Sequence, residues 1–373
     1  MSETIKDYEL VGSQPSYYSA KVRACLQYKR LPYREIGSNI ETISQRVIPE
    51  TGDHLFPVIF CPDGEVLKDG CDIVEALEKR HPERSILPED PTLATVATLI
   101  ETLADEYFAG AMIYYRWVPE DTRIWALDMF ASLGAKGVKD AGLRELADGM
   151  TEGMAAGIQA RLPKIGLDRE EIQQESIKIT HTFCDLLGKH LKDVPFLLGD
   201  RPCLADLGMM NAMWGHLYMD PCEASMYMRR HCTHLSQWVT NMHSAAGISG
   251  EGELYLADTM KEALAFLGKA YGHSSKALLN AADARIPEMA MNEQVEPGLG
   301  KVDTYLLTQE LTRPVRTYGA WRLQRIIDCY KAIPESQKSE ADILLEDIGF
   351  LGVCNHAPSW RLGKQQFQLY RTK

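Results

Sequence analysis

No segment of this 373-residue chain reaches the roughly 18 uninterrupted apolar residues that a membrane-crossing helix needs. The N-terminal run "MSETIKDYEL" has neither the basic start nor the apolar stretch of a secretory signal, so a cytoplasmic location is expected. Positive charge is in deficit, with 40 Lys+Arg against 52 Asp+Glu and a net charge of −12. Such a surface repels phosphate backbones and anionic lipid alike, which argues against nucleic acid and membrane as partners. A disulfide framework is missing as well: the nine cysteines are an odd number scattered from Cys25 to Cys354, the usage of reduced thiols. The Cys/His-rich stretch His216, Cys222, His231, Cys232, His234 and His243 lacks the paired Cys-x2-Cys spacing of a zinc knuckle, so no metal is expected. "GISGEG" (247–252) follows no strand and leads to no Lys-Ser/Thr, which excludes a phosphate loop.

What is present begins as mixed α and β. "YELVG" (8–12) reads as a strand, Val22, Cys25 and Leu26 set the apolar face of a helix, and "LPYREI" (31–36) reads as a second strand after a proline. "FPVIF" (56–60) and "EVLK" (65–68) flank the turn tetrad "CPDG", a hairpin signal, and "DGCDIVEALEKRH" (69–81) follows as a helix. From Asp90-Pro91, an N-cap with a proline at the first helical position, the pattern turns helical. Leu93, Val96, Ile100, Leu103, Tyr107 and Tyr114 form the stripe of one long helix, and "LADLGMMNAMWGHL" (204–217), apolar nearly all round, is expected to be the central helix of a bundle. The Gly-rich "SAAGISGEGE" (244–253) marks a break in the pattern.

Three of these stretches, "SYYSAKVRACLQYKRLPYRE", "FPVIFCPDGEVLKDGCDIVEALEKRHPERSILPEDP" and "PFLLGDRPCLADLGMMNAMWGHLYMDP", together resemble the signature regions of the glutathione transferase superfamily, serine-type members included. The resemblance implies an α+β N-terminal thioredoxin-like domain at 1–88, an all-α helical-bundle domain at 92–246 and, beyond the family pattern, a mixed C-terminal extension at 255–373. It implies a homodimer with glutathione as co-substrate, and a transferase that joins the glutathione thiolate to a small organic electrophile or removes it from a conjugate. A non-catalytic binding or scaffold protein on the same fold is the alternative, and disulfide exchange is the weakest reading because no cysteine stands at position 16.

The site residues follow from that resemblance and from the chemistry of a helix N-terminus, whose free N–H groups and partial positive charge stabilise a thiolate. Ser16, in the run S-x-x-S-x-x-V-R, is expected to donate its hydroxyl to the glutathione sulfur, with Tyr17 and Tyr18 as fallback donors; Tyr17 is also expected to touch substrate. The same Ser16 also reads as a plain helix cap. Pro57 matches the family's cis-proline and Val58 is expected to offer its backbone to the tripeptide. Asp69 and Gly70 stand where the γ-glutamyl group is held; Gly70 departs from the usual serine and lacks its hydroxyl. Tyr115 and Arg116, on "MIYYRWVPED" (112–121), are expected to face the second-substrate cleft, where an aromatic wall with one cation suits a planar or acidic electrophile. "CLAD" (203–206) reads as a capping box with Cys203 in place of a hydroxyl.

In the extension, 257–285 and 339–350 read as helices, 313–326 begins extended, and 359–371 alternates like a terminal hairpin. Its residues fix no chemistry, and a separate domain, a lid and an oligomer contact all fit them.

Overall fold

The computed structural model describes residues 7–365 and 367–373. A four-stranded sheet in the order β2-β1-β3-β4 opens the chain: β1 (Tyr8–Gly12) and β2 (Tyr33–Gly37) run parallel, joined by helix α1 (Ser19–Tyr28), while β3 (Val58–Phe60) and β4 (Val66–Lys68) run antiparallel as a hairpin. This is the thioredoxin-like arrangement. The Phe56–Pro57 peptide is cis, immediately before β3. Helix α2 (Gly70–Arg80) leaves β4 through Asp69, which adopts φ 77°, a left-handed conformation unusual for a residue with a side chain.

A helical bundle follows. Helix α3 (Pro91–Thr102) is capped by Asp90, whose carboxylate accepts the Leu93 N–H at 2.8 Å. It passes through a π-helical segment (Leu103–Phe108) into α4 (Ala109–Trp117), so the long helix of the sequence pattern carries a bulge at Asp105 and Glu106. Bulges of this kind displace side chains from the regular stripe and recur at functional sites. Helices α5 (Glu120–Gly134), α6 (Ala141–Gln159) and α7 (Glu170–His190) follow, and α8 (Leu204–Ala212), every residue of which is buried, packs against α1, α3 and the π segment. The Asp206 carboxylate accepts N–H groups from Cys203 and Leu197 at 3.0 Å and from the Trp238 indole at 3.1 Å, so the capping box is real and Asp206 locks the fold. Burial raises its pKa to about 6, against the lowering effect of those backbone donors.

The extension is built from α9 (Asp258–Arg285), the hairpin β5–β6 (Gly298–Leu306 and Gln309–Arg316), α10 (Thr317–Lys331), α11 (Glu335–Asp347) and a terminal hairpin β7–β8 (Leu362–Gln365 and Gln368–Arg371). It is not appended at a distance: α9 packs on α7, α10 packs on α3, and one apolar core runs from Leu10 and Leu26 through Leu99 and Phe183 to Leu267, Trp321 and Leu362. No described helix is long and apolar enough to cross a membrane.

Candidate functional site

Two cavities of about 310 Å³ each lie side by side under the extension and share Tyr18, Asp105, Glu106 and Arg316 as a common wall. The first, called here the proline cavity, is floored by Phe56, cis-Pro57, Lys68, Asp69, Gly70 and Cys71, and roofed by Tyr318, Lys364, Phe367 and Leu369. The second, the hairpin cavity, lies between the π segment and α4 on one side and β5–β6 on the other. The loop after β1, the N-terminus of α2, the bulge in the long helix and the extension converge on them.

Of the expected tripeptide-binding residues, Pro57, Asp69 and Gly70 are brought together in the proline cavity. Val58 is not. Its side chain is fully buried and its backbone lies inside the sheet, paired with Val11 of β1 on one side and Lys68 of β4 on the other, so no edge is free for an added strand. Phe56, one residue before the cis bond, lines the cavity, and its backbone joins no backbone hydrogen bond among the described residues.

Asp69 is fully engaged. Its Oδ1 accepts the Cys71 N–H at 2.8 Å, capping α2, and its Oδ2 accepts from the Tyr318 hydroxyl at 2.7 Å and from Lys364 Nζ at 2.9 Å. Burial would raise this carboxyl, but Lys364 and then the Tyr318 hydrogen bond hold it below its ordinary value. Lys364 also pairs with Asp72 at 2.7 Å. Gly70 has room for a side chain: a Cβ would meet the Tyr18 carbonyl at 3.7 Å and the Lys21 stem at 3.9 Å, ordinary contacts.

The hydroxyl in the cavities is Tyr18, not Ser16. The Ser16 residue is only 9% exposed, lines neither cavity, and accepts on its Oγ, at 3.4 Å, the N–H of Ser19, the first residue of α1. Tyr17 is turned inward, donating to the Ala104 carbonyl at 2.5 Å, so it touches neither cavity. Tyr18 is 42% exposed, but to a crowded groove and not to bulk solvent; desolvation, with Glu106 and Asp105 next, pushes its phenol upward, while Arg316 and Arg161 act against this. It therefore stays protonated as a donor at neutral pH.

Tyr115 and Arg116 do not reach the cleft. Consecutive helical residues point in different directions, and both of these point inward. Tyr115 is 2% exposed and borders a separate hollow beside Pro119 and His181. Arg116 makes a bidentate pair with Asp220, at 2.8 and 2.6 Å, and donates to the Gly215 carbonyl, which holds the long helix to the segment after α8.

Beneath the common wall is a buried charge cluster that no motif indicated. Lys21 Nζ lies 2.8 Å from Glu101 and 2.5 Å from Asp105, and the Arg322 guanidinium lies 3.2 and 3.0 Å from the same two carboxylates. Arg322 also touches Cys71 Sγ, and Asn211 donates to Asp105 at 2.6 Å. The donor atoms of Cys71, Glu101 and Asp105 lie within 4.8 Å of one another, a spacing that suits a metal ion, but two protein cations already balance the two carboxylates. Burial, with Glu101 in support, raises Asp105 against the pull of Lys21. The cluster ties α1, the long helix and α10 together, one residue type from each part of the chain. Its only sequence signal is Glu101 and Asp105 at i, i+4 on an otherwise apolar face.

Residues 10–85 match the family model described as glutathione S-transferase, N-terminal domain. Among solved structures, the chain is similar to the β-etherase LigF of Sphingobium sp. strain SYK-6 (19% identity, TM-score 0.46, covering 69% of this chain and 98% of that one). It is also similar to a glutathione S-transferase of Methylobacterium radiotolerans in complex with glutathione sulfonate (20% identity, TM-score 0.37, 67% of this chain and 96% of that one). A further similarity is to FzlA of C. crescentus (15% identity, TM-score 0.41, 69% of this chain and 92% of that one). No curated protein matches the chain by sequence. The family match covers the N-terminal domain alone, and there the thioredoxin-like sheet and the cis-proline accord with a glutathione S-transferase N-terminal domain.

Proposed function

We propose that the protein is a glutathione-dependent transferase that holds glutathione in the proline cavity and joins its sulfur to, or removes it from, a small organic electrophile held in the hairpin cavity. The observation that carries this reading is the common wall: the two cavities meet at a protonated phenol, that of Tyr18. Phe56 offers an unpaired backbone N–H and C=O to the cysteinyl unit, and the γ-glutamyl end lies toward Gly70, the α2 N-terminus and Lys364. Tyr18 donates O–H to the sulfur where it passes between cavities, favouring the thiolate, which is the nucleophile. No protein thiol need be consumed, because the ligand brings its own.

The non-catalytic alternative is favoured by one observation: both Asp69 oxygens are already satisfied by Cys71, Tyr318 and Lys364, so an incoming α-amine must displace Lys364. Titration calorimetry with glutathione, followed by a turnover screen with aryl halides, quinones, aryl ethers and isomerisable acids, separates the two. Millimolar or tighter binding with turnover of one class is the expected result; binding without turnover moves the protein to the scaffold reading, and absence of glutathione binding overturns the assignment.

A further inference from the structure

The hairpin cavity has an unusual charge. Its walls are apolar, with Ile113, Ile172, Leu278 and Leu311 among them, yet four cations stand around it: Arg161, Lys164, Arg313 and Arg316. Arg316 is paired with Glu106 at 3.3 Å. The other three have no carboxylate within 4.0 Å and make no side-chain hydrogen bond among the described residues. They come from two separate segments, the turn after α6 and strand β6, in a chain whose net charge is −12 and where acids outnumber bases. The carboxylates on the wall offset them only in part: Asp105 is committed to Lys21 and Arg322, and Glu106 is paired with Arg316, with Arg313 near enough to act on the same carboxylate.

An independent sign comes from Tyr271. It lines the same cavity, is 1% exposed, and its hydroxyl has no hydrogen-bond partner. A buried hydroxyl left unpaired costs free energy, and that cost is borne here at the wall of this cavity. The Arg313 guanidinium sits over the neighbouring Tyr107 ring, 5.6 Å from its centroid, which keeps that cation at the cavity wall.

We propose that the hairpin cavity is a binding site for an apolar organic acid, its hydrocarbon or aryl body against the Ile and Leu wall and its carboxylate or sulfonate turned toward Arg313, Arg161 and Lys164. The reading above makes this acid the second substrate; the binding itself does not depend on glutathione. An apolar wall alone would favour a neutral ligand over a charged one, so the three unpaired cations are what turns the preference toward the acid. The two ligand ends are thereby sorted: the sulfur side faces Tyr18, and the acid group is drawn away from the Asp105 and Glu106 carboxylates.

The test uses a matched pair, 1-naphthaleneacetate and its neutral amide 1-naphthaleneacetamide, titrated into the full-length protein without glutathione. The acid should bind about tenfold or more tighter than the amide, with an advantage that shrinks as salt is raised. Arg313→Gln and, separately, Lys164→Gln should each weaken the acid about three- to tenfold and leave the amide unchanged. Lys164 is exposed and makes no contact on which the fold depends, so its variant keeps the test sound if Arg313→Gln folds poorly. Equal affinity for acid and amide, acid binding that neither variant weakens, or no binding of either at millimolar concentration overturns the proposal. Failure of glutathione itself to bind, seen in its own titration, overturns the transferase reading and leaves this one standing.

Discussion

If the sulfur is activated by Tyr18, then Tyr18→Phe should separate binding from ionisation. The hydroxyl makes no hydrogen bond with the described residues, and the ring is held edge-on to Tyr17 with centroids 5.1 Å apart, so removing one oxygen leaves the fold unchanged. What is removed is one hydrogen bond to a charged sulfur, about 1.5–3 kcal/mol. Converted at about 1.36 kcal/mol per pKa unit, the thiol of bound glutathione should titrate about 1–2 units higher in the variant. At neutral pH this lowers turnover about 10- to 100-fold while the dissociation constant of glutathione moves only a few-fold. The assay is the ultraviolet absorbance of the bound thiolate against pH, run beside calorimetry and kinetics on the same preparations. Ser16→Ala is the counter-test: its Oγ only accepts the Ser19 N–H at 3.4 Å, so its loss should cost stability on the order of 0.5–1 kcal/mol and leave the thiolate titration alone. A shifted titration in Ser16→Ala with an unshifted one in Tyr18→Phe would refute the argument and return the role to the serine.

The missing hydroxyl at position 70 gives a second expectation. Because a Cβ there meets only ordinary contacts at 3.7 and 3.9 Å, Gly70→Ser should restore a hydrogen bond to the γ-glutamyl carboxylate and tighten glutathione about tenfold by calorimetry; weaker binding would show that the tripeptide does not lie against the α2 N-terminus. The buried cluster gives a third. Arg322→Leu leaves Glu101 and Asp105, both almost wholly buried, facing Lys21 alone, a loss of about 3–5 kcal/mol that in a chain of this length should lower the melting temperature by about 4–6 °C. A melting temperature within about 2 °C of the parent would show that Lys21 balances both acids unaided.

The parts of the molecule that were legible in the sequence are those in which local chemistry dictates conformation. The "CPDG" tetrad made its hairpin and Asp90-Pro91 started its helix, each because a turn or a cap restricts the backbone without help from distant residues, whereas the cis bond at Pro57 was legible only through the family resemblance. Position along a helix was harder. Arg116 read as a cation for the cleft, and only the tertiary structure places Asp220 opposite it; Ser16 and Tyr18 are two residues apart, and the geometry of one turn decided which hydroxyl met the cavity. The π segment is the clearest case. Propensity follows the apolar stripe straight through Leu103 to Tyr114, whereas the bulge at Leu103–Phe108 sets Asp105 and Glu106 on the wall that both cavities share. The extension resisted reading for a different reason. Its contribution is not a motif but a set of single side chains, Tyr318, Arg322 and Lys364, each of which finds its partner some 220 to 295 residues away in sequence. A cation whose partner lies that far off has the same local signature as a solvated one. The Trp321-Arg322 and Trp360-Arg361 pairs illustrate this: they are alike in sequence, yet Arg322 is buried against Glu101 and Asp105 while Arg361 pairs with Asp328 at the surface. The difference lies in what each helix or strand is packed against, and that is a property of the closed core.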